Sequence, residues 1–162
     1  MTHFTFKFAL IEHIPAMHSV RMSVKENALS NPLLVTEQDY VDMLSTKGNG
    51  WACFAGENLL GFSIVDLHEK NIWALFVAPG FESQRIGRNL HDLMLDWSFE
   101  QDGIHSLWLS TAPGTRAERF YQTAGWKNTG RTKSGEVRFE MEKNLWKCLN
   151  GNAEIPIIKL TN

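Results

Sequence analysis

Hydrophobic residues recur along this chain with two different periods, and the changes between them mark out its elements. Phe4, Phe6 and Phe8 alternate with Thr5 and Lys7, the period-two pattern of a half-buried strand. Pro15 then suits a first helical turn, and Met17, Val20 and Val24 repeat at three-to-four spacing, which predicts a helix over residues 15 to about 27. Ser30, Asn31 and Pro32 end it. Thr36 and Asp39 approximate a capping box ahead of Tyr40, Val41, Met43 and Leu44, so a second short helix is expected to about Thr46, stopping at Gly48 and Gly50. Two apolar, β-prone runs follow at 51–55 and 59–67, joined by Gly56, Glu57 and Asn58, which is hairpin chemistry. A third run at 72–77 comes after a polar turn, so strands two to four read as an antiparallel meander.

Beyond that meander the period lengthens again. Residues 80–85 form a polar loop, and Ile86, Leu90, Leu93, Met94 and Trp97 mark one face of an amphipathic helix ending near Gly103. Residues 107–109 give a fifth strand, Ala112, Pro113 and Gly114 break it, and 116–124 read as a short helix with Gly125 in the C′ position. A last hairpin pairs 126–131 with 137–141 around Ser134 and Gly135. The tail, with Ile155, Ile157 and Ile158, reads either as an extra strand or as an arm packing on a second copy in a homodimer. The fold class expected is α+β, mixed α/β: a mostly antiparallel central sheet flanked by helices, with a parallel crossover from the fourth strand to the fifth.

Composition narrows the partners more than the fold. At 162 residues the chain has room for one domain, with a core over about 4–143 and a tail at 144–162. Eighteen acids against sixteen bases give no overall attraction to nucleic acid or to an anionic membrane. Cys53 and Cys148 match neither a zinc pattern nor a disulfide framework, so both are expected to be structural thiols, with no metal. No charged segment leads into a long apolar stretch and no apolar run approaches 18 residues, which points to a cytoplasmic location. Six Trp and ten Phe signal either an aromatic cleft or an enriched core.

Two segments carry candidate chemistry. Leu75 to Pro79 feeds the loop Gly80-Phe81-Glu82-Ser83-Gln84-Arg85 and then the helix from Ile86, so backbone N–H groups and a helix N-terminus converge where a phosphate is favourably held. Arg85 and Arg88 add positive charge, yet taken alone the segment is also an ordinary βα turn with solvated arginines. In the second segment a strand stops at Pro113 and Gly114, and a short helix presents Phe120 and Tyr121 before Gly125 and Trp126. There one ring can enter the core while the other faces a cleft, and Tyr121 as one more core aromatic is the plainer reading of that helix by itself.

Together the two segments resemble the GNAT superfamily of acyl-CoA-dependent N-acetyltransferases, over an element order running from about Phe4 to Lys143. Ala117, Phe120, Tyr121, Gly125 and Trp126 are close to the family's A-x-x-F-Y-x-x-x-G-F/W form. The phosphate loop departs from its Q/R-x-x-G-x-G/A form, with Glu82 and Arg85 in place of the usual residues and Gly87 as the clear match. Arg85 keeps its N–H available if its φ is negative, and Glu82 is expected to point to solvent or toward Arg85.

The resemblance implies acetyl-CoA in a V-shaped opening between the fourth and fifth strands. Carried over by residue, the backbone of Phe76 and Val77 pairs with pantetheine and polarises the thioester, and the N–H groups of Ser83, Gln84, Arg85, Ile86, Gly87, Arg88 and Asn89 hold the pyrophosphate. Ala117 and Phe120 complete the cofactor site, and Tyr121 protonates the departing thiolate. Glu26, Asn27, Trp51 and Trp73 are the candidate contacts to the acceptor, with Arg138 offered to a carboxylate. Glu26, Asp66, His68 and Glu69 are considered as the base, and none is assigned. The expected activity is acetylation of a small-molecule primary amine in a ternary complex. Acetylation of peptide or protein amines, and a non-catalytic acyl-CoA sensor, are the alternatives.

Overall fold

The computed structural model describes residues 3–25 and 34–150. Seven strands form one sheet in the order β1-β2-β3-β4-β5-β7-β6. They are β1 (Thr5–Phe8), β2 (Gly48–Ala55), β3 (Asn58–Asp66), β4 (Asn71–Val77), β5 (Ser106–Thr111), β6 (Lys127–Arg131) and β7 (Val137–Glu142). All neighbours are antiparallel except β4 and β5. The helices are α1 (Ile14–Ser23), α2 (Glu37–Asp42), α3 (Ile86–Phe99), α4 (Arg116–Ala124) and α5 (Lys143–Asn150). None of these is long and apolar enough to cross a membrane.

The middle of the sheet is buried on both faces, which explains why β2 and β3 are apolar almost without alternation. On one face α1, α2 and the turn that follows α2 bring Met17, Val20, Tyr40 and Met43 onto Ala52, Phe62, Ile64 and Ala74. On the other, Leu90, Met94 and Leu95 of α3 meet Trp51, Cys53, Leu107 and Phe139. Local signals fix the ends of these elements. The capping box at α2 is formed in both directions, with the Asp39 N–H donating to Thr36 Oγ1 at 3.2 Å and the Thr36 N–H donating to Asp39 Oδ2 at 2.7 Å. Gly125 ends α4 at φ +97°, and a Cβ there would lie 2.7 Å from Leu149 of α5.

Three features differ from the sequence reading. The first helix stops at Ser23, where Val24 turns extended, while the candidates Glu26 and Asn27 and the apolar tail lie outside the described residues. The polar and apolar spacing after β7 closes into α5, anchored by a buried Trp146 whose indole donates to Asp96 Oδ1 at 2.8 Å. Cys53 is buried, which pushes its thiol up to about 12, but Cys148 is exposed on α5 and packs in no core.

Candidate active site

β4 and β5 meet at a single ladder pair, Asn71 with Trp108. Around it the Trp108 N–H donates to the Lys70 carbonyl at 3.0 Å, and the Asn71 amide donates to the Trp108 carbonyl at 3.2 Å. Past that point each strand follows its other neighbour, β4 staying on β3 as far as Val77 and β5 on β7 as far as Thr111. The two therefore splay apart, and a cavity of about 620 Å³ opens between β4 and α4, the helix that follows β5. Its walls come from Leu75, Phe76 and Val77 of β4, the loop after it, the first turn of α3, Arg116, Ala117, Phe120 and Tyr121 of α4, and Ser23, Val24 and Lys25 at the end of α1.

The strand edge facing this cleft follows from alternation. Successive N–H groups of a strand point to opposite sides. The Ala78 N–H donates to the Leu60 carbonyl of β3 at 2.7 Å, so the N–H groups of Val77 and Leu75 point into the opening, and that of Phe76 points back to β3. Phe76 thus contributes its ring to the cleft rather than its N–H, and Leu75 is a contributor that the sequence reading missed. Trp73 is the extra residue of a bulge, since Ile64 pairs with Ala74 and Val65 with Ile72.

Besides Gly80, the loop after β4 turns through two left-handed non-glycine residues, Ser83 at φ +64° and Arg85 at φ +65°. The condition of a negative φ at Arg85 is therefore not met: the turn into α3 needs the conformation a glycine adopts freely, and an arginine holds it. No side chain caps α3, so the N–H groups of Ile86, Gly87 and Arg88 are left without intrahelical partners. Asn89 is different, because its N–H is already bonded to the Arg85 carbonyl at 3.0 Å. Gly87 lies in the cradle, where a Cβ would come within 3.4 Å of Val77 and 4.0 Å of Phe120. Ile86 buries its side chain in the core, and the exposed Gln84 does not line the cleft.

Charge around the cleft is mainly positive. Lys25, Arg85, Arg88 and Arg116 all line the cleft, and Arg116 Nη2 donates to Ser83 Oγ at 2.8 Å, tying α4 to the loop. Arg88 is paired with Asp92 at 3.2 Å. Glu82 points neither to solvent alone nor to Arg85: its carboxylate accepts the Gly80 N–H at 2.8 Å. Its own N–H and that of Gly80, with Arg116 nearby, hold it below the ordinary carboxylate range. The carboxylate is thereby folded onto its own loop, away from the free N–H groups of α3.

Tyr121 and Phe120 both face the cleft. Tyr121 is nonetheless 6% exposed, packed edge-on to Phe120 and Trp126 at 5.2 and 5.5 Å, and among the described residues its hydroxyl makes no hydrogen bond. Burial pushes its phenol up, so it stays protonated. Behind it His91 is fully buried, accepting the Trp126 indole N–H on Nε2 at 2.9 Å and contacting Asp92 through Nδ1 at 2.8 Å. Burial lowers the His91 pKa, and the ring is neutral.

The remaining candidates lie elsewhere. Trp51 is fully buried against Phe8 and Trp97 beneath α3, because β2 is interior on both faces. Trp73 stacks on a cation, but the cation is the protein's own Arg21. Arg138 stacks over Trp108 at 4.3 Å and bonds Glu140, outside the cleft. Asp66, His68 and Glu69 belong to the turn entering β4, at the end of that strand opposite the cleft, where Asp66 accepts the N–H groups of the other two.

A model of the acetyltransferase (GNAT) family matches residues 15–126. No curated protein matches the chain. Among solved structures, PaiA N-acetyltransferase from Thermoplasma acidophilum in complex with coenzyme A superposes with a TM-score of 0.73 at 16% identity, over 86% of this chain and 99% of that one. The ribosomal-protein-S18-alanine N-acetyltransferase from Escherichia coli gives 0.66 at 17% identity, over 86% and 92%. A dodecameric spermidine N-acetyltransferase from Vibrio cholerae gives 0.65 at 16% identity, over 93% and 98%. At these identities the likeness is one of fold.

Proposed function

The chain belongs to the acetyltransferase (GNAT) family, and on that premise we propose that it transfers an acetyl group from acetyl-CoA to a primary amine of a small molecule by direct attack in a ternary complex. One observation carries the reading: the β4/β5 splay opens directly onto the uncapped N-terminus of α3, ringed by Arg85, Arg88 and Arg116. A helix end with free N–H groups and three guanidinium groups suits a pyrophosphate, and the apolar slot beside it suits a pantetheine arm.

Bound acetyl-CoA would supply the acyl group as an activated thioester. The N–H groups of Ile86, Gly87 and Arg88 hold phosphate oxygens, with Ser83 and Arg116 closing the loop over them. Leu75 and Val77 offer their outward N–H groups to the pantetheine amide and the thioester carbonyl, where a donor gains most as negative charge develops on oxygen. Ala117 and Phe120 pack the arm. Tyr121 donates its O–H to the departing sulfur. An ordinary phenol near 10 facing a thiol near 8.5 already makes full proton transfer uphill by about 2 kcal/mol, and burial of Tyr121 adds to that, so it works chiefly as a hydrogen-bond donor.

Among the described residues the only carboxylate lining the cleft is Glu82, and it is engaged with Gly80. The attacking amine therefore loses its proton to water. That same feature favours the second reading, a non-catalytic acyl-CoA sensor. Tyr121→Phe separates the two: for a transferase, thiol release should slow by about 10- to 100-fold while acetyl-CoA affinity stays within about twofold. Amine-dependent thiol release that is undetectable in the unaltered protein, despite tight acetyl-CoA binding, would leave the sensor reading standing.

A further inference from the structure

The acceptor end of the cleft has a buried cation that the reaction above does not use. Arg21, near the end of α1, is 9% exposed, with its guanidinium over the rings of Trp73 and Phe76 at 4.9 and 5.0 Å from their centroids. One of its N–H groups reaches the Tyr40 hydroxyl, which also meets His18 at 2.9 Å. Its Nε and Nη1 are buried with no hydrogen-bond partner, and among the described residues no carboxylate pairs with it. A guanidinium this far from water is nearly always paired, because ring faces attract it without accepting its N–H groups as an oxygen does.

Arg21 sits one layer behind the cleft wall. The Phe76 ring that carries it also lines the cleft, as do Ser23 and Lys25 just after it in the chain. Lys25 adds a second cation at this end, whereas Glu82 lies at the phosphate end. An acceptor with two amines would meet repulsion here. Even across the Phe76 ring the charge of Arg21 is felt, since little water separates it from the cleft.

We infer that the acceptor is an amine that also carries an anionic group, a carboxylate in the simplest case, and that Arg21 is the specificity-determining residue for it, assisted by Lys25. The inference rests on the acetyl-transfer reading and gives that reading its class of acceptor. Holding the anion on the α1 side leaves the amine nitrogen for the β4 side, where Val77 faces the opening.

The test compares three amines of equal length, 4-aminobutyrate, its amide and 1,4-diaminobutane, by thiol release with the unaltered protein, Arg21→Met and Arg21→Lys, beside calorimetry with acetyl-CoA. The unaltered protein should favour 4-aminobutyrate in kcat/KM by at least about tenfold. Arg21→Met should erase that preference through a rise in KM of roughly 10- to 100-fold, with acetyl-CoA affinity unchanged and no fall in melting temperature, and Arg21→Lys should restore part of it. A preference for the amide or the diamine overturns the inference. So does transfer to none of the three while acetyl-CoA binds, or a preference for 4-aminobutyrate that survives in Arg21→Met as its melting temperature drops, which would assign Arg21 to the core. Failure to bind acetyl-CoA is a separate result that removes the transferase reading itself.

Discussion

Replacing Arg85 with glycine should make the protein more stable while loosening its hold on polyphosphate. Arg85 is exposed and sits at φ +65°, ψ 11° immediately before α3, with no side-chain bond to the helix end. A Cβ in this left-handed region costs roughly 1–2 kcal/mol, and a glycine gives back about 0.4–1 kcal/mol through its freer unfolded chain. The net gain is about 0.5–1 kcal/mol, or about 1–4 °C in melting temperature for a chain of this size. Removing a cation from the positive end of a helix dipole adds a few tenths more, and Arg85→Ala isolates that part because it keeps the Cβ. Urea and thermal denaturation of both variants should therefore place glycine above alanine by about 0.5–1 kcal/mol. Calorimetry with CoA should show affinity reduced by about tenfold in both variants at low salt and by less at high salt, since only the cation is lost and the N–H groups stay in place. Equal stabilities for the two variants, or a glycine variant less stable than the unaltered protein, would refute the strain assigned to this loop.

Other consequences are as specific. Burial holds His91 neutral, so its pKa in the folded protein lies below the roughly 6.5 of an unfolded chain. As pH falls below about 6.5 the unfolded state binds a proton that the folded state refuses, and stability should drop by up to about 1.4 kcal/mol per pH unit; urea titrations at pH 5 to 8 should show this step, and His91→Gln should lose it. With no base engaged among the described residues of the cleft, log kcat/KM should climb with unit slope through neutral pH toward the acceptor amine's own pKa, and a plateau near pH 7 would reveal a base. Trp146→Ala should cost about 3–5 kcal/mol, because it empties a buried site and leaves Asp96 without its indole donor; a loss below about 1 kcal/mol in chemical denaturation would show that α5 is not part of the core.

What the sequence made legible was local. Thr36 and Asp39, Phe4 to Phe8, and Gly125 each act within a few residues, and the order of elements they define matches the sheet that forms. What escaped it depends on contacts between distant segments. Arg21 and Trp73 are half a hundred positions apart, and no period links them. Arg116 reaches Ser83 only because the splay brings α4 over the loop. Trp51 carries the same apolar signature whether it lines a cleft or fills a core, since β2 is covered on both faces. The left-handed backbone at Arg85 is imposed by the turn from β4 into α3, not by the residue, which if anything opposes it. α5 went unread although Leu145, Trp146 and Leu149 share one helical face, because only eight residues carry the pattern and no capping or breaking residue marks where it begins.

The central claim is that the splayed strands and the uncapped α3 hold acetyl-CoA, and isothermal titration of the purified protein tests it most directly. Acetyl-CoA and CoA should bind with micromolar affinity and ADP more weakly, the difference arising from the pantetheine arm between β4 and α4. No heat of binding at millimolar acetyl-CoA would contradict the account and leave the cleft without the ligand from which its chemistry was derived.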